Sequence, residues 1–363
     1  MILHRYFARR FAIAFCGLLI VFALFVALVD LIEQVRIFDG LAFGEVLSLT
    51  LLNTPLGLYQ MLPLIVILAT IALYLGLARS SELVVTRASG RSGLSAIVAP
   101  VVVAGLLGSL AVAMFNPIVA ATSQKYANLR EFHESGGTAT LSIGTNGLWL
   151  RQGSSDGQTV IHARRASADA DELFDVTFLA FAESGSPTRR IIAEKAMLTH
   201  GGWELTEAKA WPLVPGINPE VNAALHETLF VPSTLTQERI RDSFGKVTAI
   251  PIWDLPAFIT QLEEAGFSAR RHAVWLQMEL ARPLFLVAMV LVGAAFTMRP
   301  ARTGRTGIAV LSAVLLGFAL YYVRNFAQIL GENGQIPVML AAWAPPVASV
   351  LLALGVILHM EDG

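Results

Sequence analysis

The chain has 363 residues, 55% of them hydrophobic, with a formal net charge of −1 and a mean hydropathy of +0.62. Only 15% are charged, against roughly 25% in soluble domains, which excludes an ordinary soluble globular protein. The basic footprint of a nucleic-acid binder is missing, so no nucleic acid is expected as a partner. The single cysteine, Cys16, excludes a disulfide framework.

A membrane-spanning helix needs about 20 mainly apolar residues. The first such run, Phe11 to Val29, follows Arg5, Arg9 and Arg10 and contains no charge. It is longer than the roughly 7–15 residues of a signal-peptide core, and more spans follow, so it reads as an uncleaved anchor. Val46 to Ala78 and Ser92 to Gln124 are two further uncharged runs. Val274 to Met298, Thr306 to Leu330 and Ile336 to His359 are three more apolar segments near the C-terminus. The prediction is a polytopic α-helical membrane protein with six spans, three in residues 1–124 and three in 251–363.

Basic residues in the short loops orient the spans. Arg5, Arg9 and Arg10, then Arg79, Arg87 and Arg91, then Arg299, Arg302 and Arg305 fall on one side. The opposite loops hold Arg36 among Asp30, Glu33, Asp39 and Glu45, and Glu332 without a Lys or Arg near it. Both termini and the loop after the second span are therefore expected in the cytoplasm.

Residues 125–250 form a polar insert of β texture. "TATLSIGTNGLWLRQ" alternates and carries Asn146-Gly147, a strong hairpin signal. Asp156-Gly157 and Gly201-Gly202 mark further turns, and many short strands at this spacing predict a sandwich or barrel-like sheet. "PIWDLPAFITQLEEAGFSARRHA" reads as an interfacial helix leading back into the membrane.

No HExxH, GxSxG, P-loop or Cys/His cluster of metal spacing is present, so no catalytic residue and no metal ligand is expected. His162, His200 and His226 are scattered through the insert and read as ordinary surface residues. Ionisable residues inside spans are costly and therefore conspicuous. Glu279 and Arg282, three apart, share a helix face and could pair, either near the outer interface or in a functional role. Arg324 could snorkel outward or serve a function. Asp30, Glu33 and Arg36 continue a polar stripe out of the first span, where a guanidinium could hold a phosphate.

"ARSSELVVTRASGRS", Ala78 to Ser92, is an island of charge between apolar runs. Ser80 or Ser81 can cap a helix there, Glu82 suits its first turn, and Gly90 stops it. Leu83, Val84 and Val85 make the middle apolar. A helix at about 80–89 is too short to stand alone in water and needs a surface, the bilayer or a partner, to lie on.

"RSSELVVTRASG", the three-plus-three spans around a β insert, and "GLWLR" early in that insert together resemble the LptF/LptG family of lipopolysaccharide export permeases. The likeness covers essentially the whole chain. "SELVV" followed by "ASG" is more similar to the LptG branch than to the LptF branch. The resemblance implies a jellyroll-like periplasmic insert and an ABC-transporter permease in the Gram-negative inner membrane that extracts lipopolysaccharide. It implies a heterodimer with an LptF-type permease, a dimer of LptB-type ATPases carrying ATP and Mg²⁺, and LptC- and LptA-type bridge proteins. No cofactor would be bound by this chain, and membrane lipids would surround it. The coupling helix at the ATPase would comprise Ser81, Glu82, Leu83, Val84, Val85, Arg87 and Gly90, with Glu82 as polar contact and the three apolar residues as plug. Arg36 matches a position where the family contacts lipid phosphate, but it stands alone where several basic residues are usual. An LptF-type chain with the same role, and a membrane-anchored scaffold or sensor binding periplasmic proteins, are the open alternatives.

Overall fold

The computed structural model describes residues 2–38, 40–88, 93–135, 141–144, 147–154, 157–167, 171–182, 185–214, 216–233, 247–264, 267–298 and 306–361. Two compact units divide the chain. One holds Met1–Tyr126, Pro251–Trp253 and Arg270–Gly363; the other holds Ala127–Ile250 and Asp254–Ala269.

The first unit is helical. Helix α1 (Ile2–Ile37) and α2 (Phe43–Arg79) pack along each other, and the short α3 (Glu82–Ala88) follows. Helix α4 (Gly93–Leu110) runs through one π turn, Ala111–Phe115, into α5 (Asn116–Ser135). α1, α2 and the combined α4–α5 stretch are each long and apolar enough to cross a bilayer. Prolines inside α2 and α4 (Pro55, Pro63, Pro100) are tolerated in such helices because neighbouring groups satisfy the freed backbone.

The fourth span departs from the expected single helix. It is a pair, Arg270–Leu280 (α7) and Arg282–Thr297 (α8), bent by 49°. Pro283 sits in the first turn of α8, where its missing N–H costs nothing, and its ring clashes with continuation of the preceding helix. Thr306–Glu332 (α9) and Val338–Glu361 (α10) complete the spans. Among the described residues five helices pass as spans, and the bent pair makes the sixth.

The core of this unit gathers Phe7, Phe11, Tyr59, Ile65, Tyr74, Phe285 and Val290, all at most 1% exposed. Gly108 lets α4 lie directly on α8: a Cβ there would sit 2.6 Å from Pro283 Cα. Outward-facing Ile20, Leu24, Phe25 and Leu28 of α1 and Leu311, Leu315, Phe326 and Ile329 of α9 stay exposed, as lipid-facing residues would.

The second unit is built on one sheet of seven antiparallel strands in sequential order: β1 (Leu141–Gly144), β2 (Gly147–Ser154), β3 (Gly157–Ala166), β4 (Glu172–Phe181), β5 (Pro187–Thr199), β6 (Gly202–Pro212) and β7 (Ala224–Pro232). The all-β insert is thus present, with meander connectivity among the described residues. The chain reverses between Gly144 and Gly147, between Ser154 and Gly157, and between Thr199 and Gly202. Gly147, Gly157 and Gly202 each open a strand, Gly201 stands in the turn at φ 90°, and Asn146 and Asp156 lie outside the described residues. Alternate residues of the strands bury one face: Leu148, Ile161, Val176, Phe178, Ile191, Trp203 and Leu205.

The segment expected as an interfacial helix belongs with this sheet. Leu255–Glu264 (α6) buries Leu262 in the sheet core, with Phe258 and Ile259 packed against it. Its apolar stripe, legible in the sequence, faces the sheet.

Candidate functional site

A short helix forms where the sequence suggests, through Ala88, but the expected serine cap does not start it: Ser80 Oγ donates back to the Gly76 carbonyl at 3.0 Å instead. Helix α2 ends at Arg79, and Ser81 takes a left-handed φ of 59°, which turns the chain. The Ser81 carbonyl then accepts from the Val84 and Val85 amides at 3.1 and 3.2 Å and starts α3. Arg87 lies on α3, while Gly90, the expected stop, lies outside the described residues.

Which way each side chain of α3 points is the informative part. Leu83 is buried at 6% and joins the core of the helical unit. Val84 and Val85 are exposed at 57% and 68%. Of the three expected plug residues, one anchors the helix and two face outward. Glu82 turns back onto α1: its Oε1 lies 3.2 Å from Arg10 Nη1 and accepts a 2.8 Å bond from Ser80 Oγ. Arg10 also stacks over Tyr6 at 4.9 Å. Partial burial pulls the Glu82 carboxyl upward, but hydrogen bonds from Ser80 and Tyr6 and the Arg10 charge outweigh it and hold the group below the usual carboxylate range.

The outer stripe of α1 divides. Asp30 turns inward, accepting from Asn53 Nδ2 at 2.6 Å and from Gln34 Nε2 at 3.5 Å. Gln34 Nε2 also reaches Tyr126 Oη at 2.7 Å. Glu33 and Arg36 are exposed. The geometry follows from 100° per residue: Asp30 and Gln34 share a face, and Arg36 lies about a third of a turn away. Asp30 therefore belongs to a structural network joining α1, α2 and α5, and only Glu33 and Arg36 remain on the open face.

Glu279, Arg282 and Arg324 come together inside the helical unit rather than snorkelling to its surface. Glu279 is 0%, Arg282 4% and Arg324 6% exposed. Glu279 and Arg282 straddle the break at Ala281 and pair bidentately, at 3.1 Å to Oε2 and 2.5 Å to Oε1. Tyr59 of α2 donates its hydroxyl to Glu279, offers its carbonyl to Arg282 Nη1 at 3.3 Å, and lies under the guanidinium at 4.0 Å. Asn116, the first residue after the π turn, donates to Glu279 Oε2 at 3.4 Å. Arg324 lies 5.3 Å from the Phe285 ring and donates to the Met278 carbonyl at 3.5 Å. A buried ion pair is tolerated when further hydrogen bonds satisfy both partners, which Tyr59 and Asn116 provide here.

Tyr59, Asn116 and Arg10 were not singled out from sequence. The two amides Asn53 and Asn116, each interrupting an apolar run, were the available signal.

The sequence profile of a family described as "Lipopolysaccharide export system permease LptF/LptG" matches residues 5–359. The chain is 25% identical over 329 residues to the lipopolysaccharide export system permease protein LptG of Escherichia coli (strain K12), covering 89% of this chain and 87% of that one. It is 22% identical to the LptG protein of Haemophilus influenzae (strain ATCC 51907 / DSM 11121 / KW20 / Rd), over 99% of both chains.

Proposed function

The chain belongs to the LptF/LptG family of lipopolysaccharide export permeases, and from that premise we propose that it is the LptG-type membrane subunit of a lipopolysaccharide exporter. It extracts the lipid from the inner membrane and passes it to a periplasmic bridge. The energy comes from ATP hydrolysed on a separate ATPase subunit, and an LptF-type permease completes the membrane part. LptC- and LptA-type proteins receive the lipid from the β insert. In this reading the termini and α3 face the cytoplasm and the sheet faces the periplasm, as the arginine-rich loops support.

The observation that carries the coupling role is the outward pair Val84 and Val85 on a seven-residue helix otherwise anchored by Leu83 and by the Arg10–Glu82 contact. Two adjacent exposed valines on so short a helix offer an apolar knob of about 1–2 kcal/mol per side chain when covered, since each is already partly buried. Glu82, held by Arg10 and Ser80, acts with Ser81 as the joint that sets the angle of the knob. In this reading Arg36, exposed near the end of α1, meets an anionic lipid headgroup.

Coexpression with the partner permease and ATPase tests the reading. Wild type should retain the ATPase through purification, and the double change Val84→Asp with Val85→Asp should release it. Undiminished ATPase retention by that variant sinks the coupling role of α3. For the headgroup contact, Arg36→Glu should weaken photocrosslinking of lipopolysaccharide to the outer end of α1, and unchanged crosslinking rejects it.

A further inference from the structure

Two irregular points of the membrane helices, among the described residues, come together through one side chain. The third span carries the π turn Ala111–Phe115, whose wider ladder shows in the bond from the Asn116 amide to the Ala111 carbonyl. Such turns offset the helical hydrogen bonding locally and often sit at functional positions. The fourth span carries the break at Ala281. Asn116 stands between them: its Nδ2 reaches Glu279 beside the break at 3.4 Å.

The other end of the same amide holds a different piece of chain. Asn116 Oδ1 accepts from the Ile252 backbone amide at 2.9 Å, and the Trp253 indole N–H donates to the Ala113 carbonyl of the π turn at 3.2 Å. Ile252 is buried at 4%. Pro251–Trp253 is the short stretch that groups with the helical unit while the sequence before and after it groups with the sheet. Two hydrogen bonds thus fix this stretch to the π turn, and one side chain continues from it to the ion pair at the break.

We infer that Asn116 is a positioning residue that couples the bend of the fourth span to the stretch 251–253, so that a change of angle at Ala281 moves the chain where it leaves the β insert. The physical warrant is the sharing of one carboxamide. Its donor side is committed to Glu279 and its acceptor side to Ile252, so neither partner can shift by more than a few tenths of an ångström without breaking a bond or carrying the other along. The Glu279–Arg282–Tyr59 cluster makes the first of those contacts stiff. Pro283 has no N–H to give the backbone ladder at the break, so the bend is held there in part by the Glu279–Arg282 side chains, and a change of angle is carried to Asn116 through Glu279. The role in transport rests on the permease reading: helices driven from the ATPase side would move residues 251–253 through this amide.

The test uses the full chain with its partner permease and ATPase in lipid nanodiscs. In wild type, hydrogen exchange at the Ile252 amide should differ between nucleotide-free and vanadate-trapped complexes. Asn116→Leu keeps the volume and removes both bonds, so Ile252 should exchange at least ten-fold faster in both states and lose the nucleotide response. ATP hydrolysed per lipopolysaccharide released should rise several-fold while the ATPase rate itself is retained. Trp253→Phe, at a side chain 68% exposed, removes only the indole bond and should move both readouts the same way by less. If Asn116→Leu fails to assemble, Trp253→Phe alone decides. Unchanged exchange at Ile252, or lost protection with an unchanged ATP-to-lipid ratio, overturns the inference. A wild-type complex that releases no lipid sinks the permease reading instead, and the exchange comparison still decides the coupling.

Discussion

Replacing Arg282 by Met isolates what the intramembrane ion pair contributes. The guanidinium is 4% exposed, bonds Glu279 at 3.1 and 2.5 Å, bonds the Tyr59 carbonyl at 3.3 Å, and stacks on the Tyr59 ring at 4.0 Å. Methionine fills much of the same volume but leaves the fully buried Glu279 with only the Tyr59 hydroxyl and the Asn116 amide. Two estimates compete. If the three lost contacts behave as ordinary hydrogen bonds between membrane helices, each is worth about 0.6 kcal/mol, or roughly 2 kcal/mol together. If the uncompensated carboxylate dominates, removal of one partner costs about 3–5 kcal/mol. Complete burial of Glu279 favours the second.

The double variant Arg282→Met with Glu279→Gln separates the cases. It removes both charges and keeps an acceptor for Tyr59, so it should be more stable than Arg282→Met alone, with a coupling energy of about 2–3 kcal/mol, the upper part of the range for contacting residues. Reversible unfolding by SDS titration in mixed micelles, followed by tryptophan fluorescence, supplies the four corners of the cycle. A cost below about 1 kcal/mol for Arg282→Met, or additivity of the two changes, refutes the reasoning, because Glu279 would then be solvated or neutral.

Three further outcomes are expected. Leu83→Ala should destabilise by about 2–5 kcal/mol, as for a buried leucine, whereas Val85→Ala should stay within about 0.5 kcal/mol; the same SDS titration checks both, and equal costs would mean that α3 does not dock by Leu83. Glu82 has its carboxyl depressed below the ordinary 4.5, so the Arg10–Glu82 tie is fully present above about pH 4.5 and is lost as pH falls through the lower folded value. Exchange of the α3 amides, corrected for intrinsic rates, should therefore rise on acidification below that point, and Arg10→Gln should weaken this pH step. Gly108→Val should cost at least the 1–3 kcal/mol typical of overpacking, since a Cβ at that position already meets Pro283 Cα at 2.6 Å; a variant as stable as wild type would show that α4 and α8 can separate freely.

The spans were legible because hydropathy accumulates over about 20 residues, and no alternative structure satisfies the backbone of such a run in lipid. The same averaging hides the break at Ala281, since Glu279 and Arg282 dilute one window of a strongly apolar run without ending it. Arg282-Pro283 was the local sign of a helix restart. The sheet was legible from two-residue alternation and from glycines at 147, 157 and 202, because these features act between near neighbours. The fate of "LPAFITQLEE" was not, since an apolar stripe states that a helix needs a covering surface and leaves open whether lipid or a sheet supplies it.

Site residues divide on the same physical line. The island at Ala78 to Ser92 could be read as a short helix because the signs of a helix restart are local, although the serine expected to cap it bonds back to α2 instead. The inward turn of Leu83 and the outward turn of Val84 and Val85 depend on where α1 lies, and Arg10 is more than 70 residues away in the chain. Glu279 could be flagged as costly, but its hydroxyl donor Tyr59 is 220 residues distant and its amide donor Asn116 is 163 distant. A lone charge in an apolar run therefore identifies a debt of solvation without naming the groups that settle it. Here those groups stand at a π turn, a helix break and a packed tyrosine, so the solution that makes Glu279 tolerable also joins the second, third and fourth spans at one point. Separating any two of these three helices at that point must break part of the Glu279 network.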